Sequence, residues 1–241
     1  MSASAPGSAV GVRLPVPEVR RALGAFRLVI AAIEVVALVG NFVYVLGFRL
    51  FATVNFFSYF TVQSAMLAVV TLLVAGWYAL FRPRDPVFLG TLRTMVTVYL
   101  IVSGVVFGVI VAQASTRDYR VDVPWSDTLL HFVVPGLALV AWTVDAVIAV
   151  NPPVPWSTLG WVLVFPTGWL VYTLIRGADV GWYPYFFLDD TQVGGLPGVL
   201  VYCALVLAIF VGITAVLVGV HRRLAFRAMR RAAASGDARA A

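Results

Sequence analysis

Pro124-Trp125-Ser126-Asp127-Thr128-Leu129-Leu130-His131-Phe132-Val133-Val134-Pro135 is the stretch in which a polar connection turns into an apolar helix. It carries a histidine about one turn inside that helix. His131 is one of two histidines; the other, His221, sits in an arginine-rich C-terminal stretch. An imidazole at membrane depth is costly and marks a candidate functional position.

The surrounding chain supports a membrane setting. Of its 241 residues 61% are hydrophobic and 12% charged, against about 25% charged in soluble domains, and the mean hydropathy is +0.96. Six stretches reach the roughly 20 apolar residues that a span needs: Ala25–Phe48, Phe56–Leu80, Leu89–Ala114, Thr128–Val150, Trp156–Ile175 and Leu196–Val220. The fold expected is an all-α polytopic membrane protein with six transmembrane helices at 18–224. A disordered, Ser/Ala/Gly/Pro-rich tail (1–17) precedes it and a basic tail (225–241) follows. The first apolar run is too long for a signal peptide.

All 17 basic residues are arginine. Without lysine there is no retinal Schiff base and no lysine nucleophile. The net charge of +6 reports membrane topology rather than nucleic-acid binding. With a cytoplasmic N-terminus, thirteen arginines face inward and four, Arg49, Arg117, Arg120 and Arg176, face outward. The positive-inside rule then places both termini in the cytoplasm. Asp118, Asp122, Asp127, Asp179, Asp189 and Asp190 fall on the outer loops, as a functional cluster or simply a solvated face. Cys203 is the single cysteine, which excludes an internal disulfide.

Thr61 and His131 both follow helix starts on the outer side, at Asn55–Phe56 and Ser126–Asp127. At 1.5 Å per residue both lie roughly 6–9 Å deep. Ser58, Thr61, Ser64 and Ala65 form a small, polar stripe, for which close helix packing is the leading explanation before any resemblance is weighed. Asp127 precedes His131 by four residues, so its carboxylate can hold one imidazole nitrogen; the competing role is an N-cap shared with Ser126. Asp145, fourteen residues beyond His131, is too deep to join it and either snorkels inward or pairs with an arginine such as Arg93. Glu34 lies mid-helix without an evident partner.

Bis-histidine haem lacks its second buried histidine. Zinc lacks its three or four ligands near His131, so no metal site is expected. No nucleophile elbow, Walker loop or dinucleotide fingerprint occurs in context, and the reading needs no cofactor. A hydroxyl and an imidazole remain, the minimum apparatus of acyl transfer. The aromatic run Gly181-Trp182-Tyr183-Pro184-Tyr185-Phe186-Phe187-Leu188-Asp189-Asp190 suits an interfacial lid.

Three motifs carry a resemblance to a family. Ser58-Tyr59-Phe60-Thr61-Val62-Gln63-Ser64 resembles the Tyr-Leu-Thr segment of the androgen-induced integral membrane proteins. Trp125 to Pro135 is similar to their Trp-Leu-Asn-His-x-x-His-x-x-x-x-Pro segment in the spacing of the last histidine. Trp182-Tyr183-Pro184 to Leu188-Asp189 is similar to their Trp-x-Tyr-Pro-Phe-Leu-Glu loop. Animal members are threonine hydrolases of fatty acid esters of hydroxy fatty acids. The resemblance, closest to the uncharacterised bacterial branch, implies Thr61 as nucleophile and His131 as base. Thr128 replaces the family's first histidine, Asp127 its asparagine, and the loop carries an extra residue.

The expected site is catalytic Thr61, His131 and Asp127. Ser58, Tyr59, Gln63, Ser64, Trp182, Tyr183 and Phe186 would hold a membrane lipid or lipid-like ester, with Gln63, Tyr59 and Tyr183 as candidate oxyanion donors. The alternatives are a non-enzymatic lipid- or isoprenoid-binding protein and a small carrier using Glu34, His131 and Asp145. Neither nucleic acid nor any particular oligomeric state is implied.

Overall fold

In the computed structural model, residues 16–48, 52–115 and 122–240 are described. Most of the expected N-terminal tail lies outside them, as do Arg49, Arg117, Asp118 and Arg120 of the outer loops. Six apolar helices are long enough to cross a membrane. They are α1 (Val16–Leu46), α3 (Phe60–Phe81), α4 (Val87–Ser115), the composite helix of α5 (Trp125–Thr128) and α6 (Val134–Ile148), α7 (Thr158–Val180) and α8 (Leu196–Ala240). α2 (Thr53–Phe56) is a single turn, and there is no strand among the described residues. The chain is an all-α polytopic membrane protein.

Two expected boundaries move. α1 begins at Val16, within the supposed tail, and α8 runs unbroken to Ala240, so the basic segment continues the last span. His221 is accordingly not in a solvated tail. It is buried, accepts a hydrogen bond from the Val154 backbone N–H (3.4 Å) and meets Trp142 edge-on.

α1 has a polar inner face and an apolar outer one. Arg20, Arg27, Glu34 and Asn41 recur every seven residues and are 5%, 1%, 0% and 9% exposed; Val29, Val36 and Val43 recur likewise and are exposed. Seven residues are nearly two helical turns, so each set is one stripe. Lipid accepts the valines and excludes the polar groups. α1 approaches α3 closely where Gly24 faces Gly76. A Cβ on Gly24 would sit 3.0 Å from the Gly76 carbonyl oxygen, and one on Gly76 2.8 Å from Leu28. The facing side of α3 is small throughout, with Ser64, Ala65, Ala68, Thr71, Ala75 and Ala79 buried. Ser64 and Ala65 therefore serve helix packing.

The start of α1, the end of α8 and the loops at 82–86 and 149–157 share one end of the bundle, the terminal end; the remaining connections make the distal end. The terminal end holds a dense ion-pair cluster. Asp85 binds Arg20 and Arg93, and Arg93 also reaches Asp145 at 2.7 Å, the second of the two outcomes expected for that carboxylate. Asn151 donates to both carboxylates. Arg27 stands 3.3 Å from Asp145, and neither of its terminal nitrogens makes a hydrogen bond. Burial pushes Asp85 upward, but the two guanidiniums outweigh it and hold the carboxyl below its ordinary range. Glu34, midway along α1, has neither carboxylate oxygen hydrogen-bonded.

Candidate active site at the distal end

Thr61 is placed by the turn before α3. The Trp169 indole N–H donates to the Ser58 carbonyl (3.0 Å), the Ser58 hydroxyl to the Val54 carbonyl (3.2 Å), and Arg176 to Asn55 (2.6 Å). The first and third of these bonds tie the turn to α7, and the second braces it internally. α3 then starts at Phe60, with Tyr59 as N-cap. Thr61 therefore lies in the first helical turn, not the turn and a half expected, and Ser58 lies off the helix. The first intrahelical bond runs from the Gln63 N–H to the Tyr59 carbonyl, so the N–H groups of Phe60, Thr61 and Val62 are free of helix partners.

His131 is placed by a defect in its helix. Pro135 has no N–H for the carbonyl four residues back, which is His131's. The helix widens there into a π-helical segment at Leu129–Val133, and the Val134 N–H bonds to the Leu129 carbonyl. The released His131 carbonyl points at α4 beside Gly104, where a Cβ would lie only 2.2 Å from its oxygen. Phe107, on the same side of α4, stacks on the imidazole with centroids 3.9 Å apart and planes 12° from parallel.

The two side chains meet. Thr61 Oγ1 lies 3.3 Å from His131 Nε2, 2.7 Å from Ser103 Oγ and 3.4 Å from the Tyr185 hydroxyl. His131 Nδ1 is 3.0 Å from the Asp127 backbone carbonyl, which can only accept. That bond places the proton on Nδ1 and the lone pair of Nε2 towards Thr61. The Asp127 carboxylate is not the orienting group: it lies 3.9 Å from Nδ1 and accepts from the Asn41 amide at 2.5 Å. Neither Asp127 nor Ser126 caps the helix; Pro124 is the N-cap.

Thr61 has one proton and three polar neighbours. Ser103 and Tyr185 can donate to it while it donates to His131. Tyr185 lies in the connection between α7 and α8, with its hydroxyl in hydrogen-bonding range of the backbone N–H groups of Phe60 and Thr61. It lines both cavities flanking the pair, and burial pushes its phenol up to about 12, so it remains a donor.

Two cavities flank the pair. The larger, about 410 Å³, lies among α3, α4, α7 and α8, with walls almost entirely apolar. The smaller, about 230 Å³, lies towards α1 and includes Asn41, Tyr44, Tyr59 and Asp127. Thr61, Phe107, His131 and Tyr185 line both.

The rest of the expected site is largely displaced. Tyr59 lines the smaller cavity and meets Trp182 and Tyr185 edge-on. Ser58, Gln63, Ser64, Trp182, Tyr183 and Phe186 line neither cavity. The Gln63 amide donates to the Phe57 carbonyl (2.9 Å) and Ser64 to the Thr61 carbonyl (3.1 Å), so neither faces a substrate. Tyr183 packs where a Cβ on Gly177 would lie 2.0 Å away, and Arg176 covers Trp182. Tyr185, Phe187 and Leu188 form the roof instead. A short 3₁₀ turn at Phe186–Leu188 sets which rings point inward. Sequence reading missed Asn41, Ser103, Gly104, Phe107 and Tyr185. The signals were the seven-residue recurrence ending at Asn41 and the spacing of Pro135 after His131.

Among the described residues no three His, Cys, Asp or Glu side chains converge as metal ligands. No family model, curated protein or solved structure matches this chain.

Proposed function

We propose that the protein hydrolyses lipid-like esters within the membrane, with Thr61 as nucleophile and His131 as general base. The observation that carries this reading is the 3.3 Å separation of Thr61 Oγ1 and His131 Nε2 at the wall of a large apolar cavity. It is within reach of the looser geometry usual in unliganded sites. The motif resemblance to the androgen-induced membrane hydrolases points the same way. The positive-inside pattern would set the site in the outer leaflet.

In the forward step Thr61 Oγ1 attacks the ester carbonyl and its proton passes to His131 Nε2. The carbonyl oxygen becomes an oxyanion beside the Tyr185 hydroxyl, a donor fixed before charge develops. His131 returns the proton to the departing alkoxide, leaving Thr61 acylated. It then takes a proton from water, whose oxygen attacks the acyl carbon, and reprotonates Thr61 as the acid leaves. The Asp127 carbonyl holds the imidazole tautomer throughout and Phe107 holds its plane.

A carrier needs an aqueous path to both faces. In the terminal half, the void beside Arg27 and Arg93 is about 10 Å³, about one water. Lipid binding without chemistry uses the same apolar cavity and is the second reading. Purified protein assayed with long-chain esters separates them. Thr61→Ala and His131→Ala should each lower kcat/KM by about 10³-fold or more with melting temperature retained. Wild-type turnover in either variant would refute the mechanism.

A further inference from the structure

The two cavities differ in what they open onto. Thr167, Leu200, Ala204 and Leu207, contributed to the wall of the larger one by α7 and α8, are exposed. Its mouth is therefore apolar and lateral, facing the region that lipid occupies. Pro166, also on that wall, interrupts the hydrogen-bond ladder of α7 there. The smaller cavity runs to the polar distal rim, where the exposed Tyr44 hydroxyl bonds to Asp122 (3.2 Å). Its walls bring hydroxyl, amide and carboxylate groups together. The only groups common to both are the reacting pair, the stacked Phe107 and the Tyr185 donor.

We propose that the two cavities divide one ester between them, and that this division defines the substrate class. A long acyl chain enters sideways from the bilayer into the larger cavity, whose volume lies within the roughly 300–1,000 Å³ typical of small-molecule sites. The alcohol half sits in the smaller cavity and leaves towards water, with its carbon–oxygen bond broken between the two at Thr61. The Asp127 carboxylate, clamped by Asn41, accepts hydrogen bonds from a hydroxyl and repels a second anion. The substrate is therefore a long-chain ester of a small, uncharged, hydroxyl-bearing alcohol. This rests on the hydrolase reading for the chemistry but not for the binding.

Two measurements on the full chain in nanodiscs test it. In the first, palmitoyl glycerol, butyryl glycerol and a palmitoyl ester of a hydroxy acid are compared as substrates. Palmitoyl glycerol should lead each of the others in kcat/KM by about tenfold or more. Asp127→Asn should narrow the preference over the anionic ester, and Ala204→Trp should shift the palmitoyl-to-butyryl ratio about tenfold towards butyryl. Chain-length indifference, or a preference for the anionic ester that Asp127→Asn leaves untouched, overturns the proposal. In the second, the non-hydrolysable palmitoyl glycerol ether is titrated into wild type, Thr61→Ala and Ala204→Trp and followed by native mass spectrometry. Binding to the first two, weakened about tenfold in the third, upholds the cavity assignment even if no ester is turned over, in which case only the hydrolase reading fails. No binding to any of them overturns the assignment itself.

Discussion

At the terminal end of the bundle, Asp85 takes bonds from Arg20, Arg93 and Asn151, and Arg93 bridges on to Asp145. At the distal end, Thr61 has three neutral partners at 2.7 to 3.4 Å and His131 one strong bond, to a backbone carbonyl. The first cluster is charged, crowded and nearly void-free; the second is uncharged at its centre and flanked by two cavities. Both are polar groups inside an apolar bundle, so burial alone does not mark a reaction centre. Partners paired charge to charge hold helices together. Partners that leave a lone pair and an adjoining space leave something to react.

The sharpest way to break this contrast is to remove Arg93. Two carboxylates then lose a guanidinium in a buried setting, and Arg93→Ala should destabilise the fold by about 3–5 kcal/mol, seen as a lower melting temperature in detergent. A fully stable variant would show that the terminal cluster is not structural. The same cluster predicts an acid limb. Asp85 is held below its ordinary range in the folded state, so its contribution is complete above the unfolded carboxylate pKa. It is lost as pH falls from there through the folded value. Arg20→Gln removes one of the two guanidiniums responsible, so it should bring that loss to higher pH.

Gly104→Ala addresses the distal end with little change in chemistry. The new methyl must displace the His131 carbonyl, so turnover should fall about 10²-fold, as a shift of about 1 Å in a reacting group can do. Normal kinetics would mean that the π-helical segment does not aim the histidine. Tyr185→Phe removes one donor near Thr61 while keeping the ring stack. A loss of about tenfold to a hundredfold in kcat, with KM little changed, is expected if it stabilises developing charge. A KM effect alone would make Tyr185 part of the roof and nothing more.

Much of this architecture is legible along the chain. Hydropathy locates all six spans, and the Arg93–Asp145 pairing follows from two charges that cannot face lipid. The Thr61–His131 pairing is legible only as a match of depth. That match used a helix start four to five residues early for Thr61, because the turn at Phe57–Tyr59 reads as apolar and continuous with α3. The roof was read one ring out of register, since an aromatic run gives no sign of which side chains face inward until Tyr183 is seated against Gly177.

What the sequence determines alone is the number of spans, their order, and which polar residues must avoid lipid. Each helix satisfies its own backbone in an apolar solvent, so these follow from local composition. Only the tertiary structure decides that Ser103, Phe107 and Asn41 gather round the pair, and that two cavities meet there. These depend on how each helix is rotated and how closely it crosses its neighbours. Contacts at Gly24, Gly76 and Gly104 set those quantities, and no single helix carries them in its own sequence.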